Sequence, residues 1–153
     1  MSVDREITIR VLSNKDKFSD LFIAFVADFL FDDDSFIVSS LNKEDVDNYD
    51  YLEFNKVSLK PILDYRQNKG YDNYITFFVK KFDELIILRA IKLKENYPGY
   101  SSQYELSFTF GIGKRIKNSS RHTDFTFYLN EILPRFMEIG CKIGEIKCSD
   151  YDF

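Results

Sequence analysis

The chain has 153 residues, 44% of them apolar and 30% charged, with a formal net charge of −4 and a sequence pI of about 5.1. That length suits one domain, 1–153, built on a single core without disulfide or metal staples. Sixteen Phe and ten Tyr, with no Trp, exclude a disordered chain, because such chains are poor in aromatics. The acidic balance speaks against direct nucleic-acid binding, which calls for a strongly basic domain.

In chain order, residues 6–12 alternate with period two, Ile7, Ile9 and Val11 against Thr8 and Arg10, and read as a first strand. Phe18, Leu21, Phe22, Phe25, Val26, Phe29 and Leu30 then recur at helical spacing and predict a largely buried helix that ends at Asp32-Asp33-Asp34. Ser13 or Asn14 is placed to cap that helix. Residues 36–41 suggest a short strand, 42–50 a polar loop, and 51–57 another alternating stretch. Around Pro61 a short helix is expected, capped by Ser58, with Ile62, Leu63 and Tyr65 inward. Asn68-Lys69-Gly70 is a turn.

The strongest strand signals lie beyond that turn. Residues 74–80, 84–95 and 103–112 are rich in aromatic and β-branched side chains. They are joined at Lys81-Phe82-Asp83 and Asn96-Tyr97-Pro98-Gly99, as in an antiparallel meander. Residues 121–139 carry a second helical pattern (Phe125, Leu129, Ile132, Phe136, Ile139) interrupted by Pro134. Either one helix is kinked there, or a strand over 124–129 precedes a shorter helix. Gly140 suits the helix end, 142–148 an edge strand, and 149–153 a loose tail. The predicted class is α+β: a meander sheet with a buried N-terminal helix and a C-terminal helix packed on it.

The start of the chain has neither the basic nor the apolar region of a signal peptide, and its most apolar run, 21–27, is far shorter than the ~20 residues that span a bilayer. A soluble, cytoplasmic protein without membrane contact is expected. Cys141 and Cys148 are the only cysteines and His122 the only histidine, too few for a disulfide framework or a zinc site. Two thiols in a reducing compartment are expected, with a bridge across their short loop as the alternative. No metal or cofactor is implied.

Motifs for catalysis fail on spacing. Gly111-Ile112-Gly113-Lys114-Arg115 has neither the spacing of a phosphate-binding P-loop nor the third glycine of a dinucleotide fold. Asp45-Val46-Asp47-Asn48-Tyr49-Asp50 resembles the start of a calcium loop. Asp50 and Lys56 stand where that loop needs Gly and a bidentate Glu. His122 has Asp124 nearby as a candidate orienting group, but reads more simply as lying beside a helix cap. No catalytic residue is assigned, although a site of paired carboxylates or one using His122 stays open.

Charge is organised by region. Residues 28–53 hold nine acids against Lys43, while 54–121 hold thirteen bases against six acids. An acidic block can steer a basic partner, and Tyr is a frequent interface anchor. Tyr49, Tyr51, Tyr65, Tyr71, Tyr74, Tyr97, Tyr100 and Tyr104 cluster in mid-chain.

In its size, its acidity, its aromatic content and the acidic segment 28–53, the chain resembles bacterial toxin-immunity proteins of the contact-dependent inhibition type. That resemblance implies a tight complex with a basic toxin domain, such as a nuclease, whose phosphate-binding surface would meet acidic side chains. The expected contact residues are Asp32, Asp33, Asp34, Asp45, Asp47 and Asp50, with Tyr49 and Tyr51 as anchors. Two other readings stand beside it: a small enzyme with an unsignposted carboxylate or His122 site, and a ligand-binding module with an aromatic-lined pocket.

Overall fold

The computed structural model describes residues 4–27, 29, 35–38, 52–95, 97–111, 114–119 and 122–151. They form an α+β fold: a seven-stranded antiparallel sheet with helices packed on it. In chain order the elements are β1 (Asp4–Ser13), α1 (Phe18–Val26), β2 (Phe36–Val38), β3 (Leu52–Phe54), α2 (Lys56–Asn68), β4 (Asn73–Val79), β5 (Glu84–Leu93), β6 (Ser102–Phe110), α3 (Phe125–Glu138) and β7 (Lys142–Tyr151). The order across the sheet is β3-β2-β4-β5-β6-β1-β7. The meander β4-β5-β6 forms its middle, as its alternation predicts. The N-terminal strand is inserted between β6 and β7, where Ile9 faces Leu106 on one side and Ile146 on the other.

One face of the sheet is apolar and covered. Ile7, Ile9, Val11, Ile75, Phe77, Val79, Ile86, Leu88, Leu106, Phe108 and Phe110 are buried on it. From α1, Phe22 packs edge-on to Phe36 and Phe77 at 5.5 and 5.3 Å between ring centres. Phe25 stacks on Phe136 of α3 at 4.5 Å, and both touch Phe108. Tyr128 of α3 stacks on Phe110 at 4.0 Å. Aromatic pairs in these offset and edge-on geometries contribute about 0.5–1.5 kcal/mol each beyond the area they bury. The high phenylalanine content is therefore spent mainly on a layer between sheet and helices.

The helices differ in several respects from expectation. α1 starts at Phe18 without a side-chain cap from its own segment. Neither Ser13 nor Asn14 caps it. Gln67 of α2 accepts the Phe18 N–H at 2.8 Å instead and donates to the Asp16 carbonyl. The helix stops at Val26: the Phe29 N–H turns back to the Val26 carbonyl at 3.0 Å, and the Phe29 carbonyl accepts the Lys80 amide at 2.7 Å while its ring stays in the core. Leu30 and Asp32-Asp33-Asp34 lie outside the described residues.

The alternation over 51–57 yields only the three residues of β3. Asn55 then caps α2 in a reciprocal box with Ser58, so Ser58 is the third helical residue and not the cap. Leu59, Leu63 and Arg66 point inward from α2, whereas Tyr65 is exposed. Pro134 lies inside one helix, α3, capped by Asp124, and no strand precedes it over 124–129. The α3 C-terminus closes as a Schellman motif. Gly140 has φ +83° and donates to Met137, and Cys141 donates to Phe136. Ser149 to Tyr151 are not a tail: they extend β7 and pair with β1.

Phe22→Ala should cost about 3–5 kcal/mol in urea unfolding, as large-to-small changes in a filled aromatic core do. Val57→Ala, at a side chain 85% exposed, should stay within about 0.5 kcal/mol.

Candidate functional site

The second face of the sheet carries the candidate site. α1 and α3 pack on the opposite face, and α2 packs against α1. Antiparallel strands with one solvated face normally alternate apolar and polar residues. β5 does not. Its inward set is Ile86, Leu88 and Ala90, and its outward set starts with Leu85 and Ile87.

The register brings this outward set beside that of β4, with Phe78 opposite Leu85, Thr76 opposite Ile87 and Tyr74 opposite Arg89. Leu85 is 57% exposed, Ile87 45% and Tyr74 40%, on two strands in the middle of the sheet. Large apolar side chains contiguous on a surface mark an interaction site, whereas single ones do not. Arg89 borders the patch. Its guanidinium lies 5.7 Å from the Tyr74 ring centre and bonds Asp72 Oδ2 at 2.8 Å, and the Asp72 bond raises its pKa. Towards β6 and β1 the same face turns polar, with Ser107 and Thr8 sharing a hydrogen bond. The result is an aromatic and aliphatic centre with an arginine and a polar rim, the usual composition of a protein-binding surface.

A second cluster lies at one end of the sheet. Tyr128 donates to Glu84 Oε2 at 2.7 Å and accepts the Lys114 amide at 2.7 Å. Arg5 donates to the Gly111 carbonyl, and Asp150 accepts the Thr123 amide. Arg5 Nε and Asp150 Oδ1 stand 4.0 Å apart, each buried without a hydrogen-bond partner among the described residues. Burial holds the Glu84 carboxyl above its usual range, against the Tyr128 bond and the charges of Lys114 and Arg5. Burial, and then the bond to Glu84, push the Tyr128 hydroxyl up. These contacts fasten the ends of the segment between β6 and α3 to the sheet.

Gly111 and Lys114 of the glycine motif belong to this clamp, while Ile112 and Gly113 lie outside the described residues. The Lys114 amide is used by Tyr128, and α3 begins only at Phe125, so the motif does not open a helix as a phosphate loop requires. His122 is exposed and pairs with Ser119, Oγ to Nδ1 2.7 Å. Asp124 is occupied as the α3 cap, so it does not orient His122. Cys141 is buried, Cys148 exposed, and both thiols are free. The void lined by Phe25, Phe77, Phe82 and Phe108 measures about 10 Å³, room for no more than a water molecule. Two larger grooves, of about 770 and 640 Å³, are lined mainly by polar side chains, among them Lys15, Lys60, Lys92 and Lys94.

All eight residues predicted to contact a partner, Asp32, Asp33, Asp34, Asp45, Asp47, Asp50, Tyr49 and Tyr51, lie outside the described residues. Sequence reasoning passed over Leu85, Ile87 and Arg89. The available signal was β5 itself, apolar on both of its alternating sets. No helix among the described residues is long and apolar enough to cross a membrane. No protein-family model matches the chain, and no curated protein or solved structure matches it.

The Glu84 carboxyl gives a pH signature. Because its folded-state pKa is raised, the folded state holds that proton more tightly than the unfolded chain does. The penalty is absent below the ordinary carboxylate range and develops as pH rises through it. Glu84→Gln, which can still accept from Tyr128, should raise Tm at pH 7, and the gain should vanish towards pH 3. Calorimetry across that range is the check, and an equal gain at both ends would assign the effect to packing.

Proposed function

We propose that the chain is a protein-interaction protein that holds a basic partner domain inactive, as immunity proteins hold their cognate toxins. The observation that carries this reading is the exposed apolar surface formed by Tyr74, Leu85 and Ile87 on the middle strands, bordered by Arg89. Burying such a centre inside a polar rim supplies affinity.

The acidic segment supplies steering. Val38 and Leu52, the described residues that flank 39–51, pair with each other, and Val38 pairs in turn with Ile75 of β4. The chain between them carries Glu44, Asp45, Asp47 and Asp50, so its two ends are anchored next to the apolar surface. Clustered charge of this kind accelerates encounter with an oppositely charged protein and orients it. The remaining contact candidates, Asp32, Asp33, Asp34, Tyr49 and Tyr51, belong to the same reading.

The test is co-purification from the native host with wild-type bait and with Leu85→Asp/Ile87→Asp. The expected result is one stoichiometric, basic protein that the wild type retains and inhibits and the double variant loses, while circular dichroism is unchanged. A partner held equally by both baits, or none held by either, overturns the assignment of this face. Reversing Asp45, Asp47 and Asp50 to Lys should slow association with that partner at least about tenfold at low salt and much less at high salt, measured by stopped flow.

A further inference from the structure

The geometry points to a second copy of this chain as the occupant of the outer edge of β7, paired antiparallel about a two-fold axis at Ile146. β7 is the last strand of the sheet, and no strand among the described residues pairs with its far side. α3 packs on it. One flank of α3 is committed to the body of the domain: Arg135 donates to the Ala24 and Phe25 carbonyls, and Glu131 pairs with Lys81. Helical spacing sets Leu129, Leu133 and Met137 on the opposite flank, which faces past β7. Leu129 and Leu133 are half-buried, Met137 is 59% exposed, and Ile146 below them is 37% exposed. An apolar ledge therefore continues across the edge of the sheet.

Charge then selects the occupant and the register. Unpaired strand edges are commonly blunted by charged residues and bulges. β7 has both: the register against β1 shifts between Ile9 and Val11, and Glu145 and Lys147 stand exposed, 3.3 Å apart, on one side of the strand. Such an edge repels most foreign strands, but its own copy can match it. A two-fold axis normal to the sheet sets two copies of an edge strand antiparallel, and opposing residues must then share a face. Over the regularly alternating stretch from Glu145 to Cys148, beyond the bulge, only registers centred on a residue satisfy this.

Centring on Glu145 or on Lys147 opposes like charges. Centring on Ile146 places Glu145 of each copy opposite Lys147 of the other and buries Ile146 against itself. Centring on Cys148 leaves the charges unmatched and sets the two thiols side by side. The Ile146 register is the one in which Glu145, Ile146 and Lys147 are all satisfied. It joins the two sheets and leaves Tyr74, Leu85 and Ile87, across the sheet from β7, free in both copies.

Light scattering and sedimentation of the full chain, under reducing conditions and up to submillimolar concentration, test this. The expected mass is twice the 18.1 kDa of the chain. Glu145→Lys or Lys147→Glu alone should weaken association about tenfold or more, since like charges then oppose each other across the axis. The double exchange Glu145→Lys/Lys147→Glu should restore it. Met137→Asp should return the monomer. Glu145, Lys147 and Met137 are all exposed, and circular dichroism confirms that each variant folds. A wild type that stays monomeric throughout overturns the proposal, as does a double exchange no better than the singles. Rapid, complete oxidation to a dimer linked through Cys148 also overturns it, because that places the axis at Cys148.

Discussion

The stacking of Phe25 of α1 against Phe136 of α3, both in contact with Phe108 of the sheet, is the contact on which the arrangement rests. It joins helices from opposite ends of the chain and seats both on one face. Around it, Phe22 reaches Phe36 and Phe77 on the β2–β4 side, and Tyr128 reaches Phe110 and Phe82 at one end of the sheet. Rings are large and stiff, so a layer of them fixes helix positions with few rotatable bonds. Among the described residues, the void lined by Phe25, Phe77, Phe82 and Phe108 within it measures only about 10 Å³.

Concentrating the helices on one face has a cost on the other. β4 and β5 are flanked on both sides by other strands, so their backbones are satisfied while their outward side chains face solvent. An isolated domain gains nothing from leucine and isoleucine there. Their presence is the departure from local consistency on which the proposed recognition surface rests. The polar cluster of Arg5, Glu84, Tyr128 and Asp150 is the reverse case, a set of titratable groups spent on holding a connecting segment.

Period-two and helical spacing made the meander, β1 and the inner face of α1 legible in advance, because each has one strong pattern and one buried side. Where competing local bonds decide, the pattern failed. Gln67 caps α1 from a distant helix, and no local residue announces it. The Phe29 N–H turns back to the Val26 carbonyl, and α1 ends there although Phe29 keeps its ring in the core. Asn55, and not Ser58, caps α2, since either side chain suits a cap and only the reciprocal bond distinguishes them. Pro134 suggested a break, yet the helix runs through it. The candidate face was visible as two-sided apolarity in β5, but strand propensity alone does not say which face a helix will cover.

The placement of β1 has a consequence for how the chain is made. This strand leaves the ribosome before every other described element of the fold, yet its neighbours are β6 and β7, so Arg5 pairs with Phe110 and Asp150. At elongation rates of about 5–20 residues per second, roughly 4–18 s pass between the emergence of β1 and that of β6, and β7 comes later still. Ile7, Ile9 and Val11 wait through that interval without a sheet to enter. Contacts so distant in sequence also slow folding after release. Nascent chains are therefore exposed to chaperones and to mispairing at β1, and the sheet closes only after β7 has been translated.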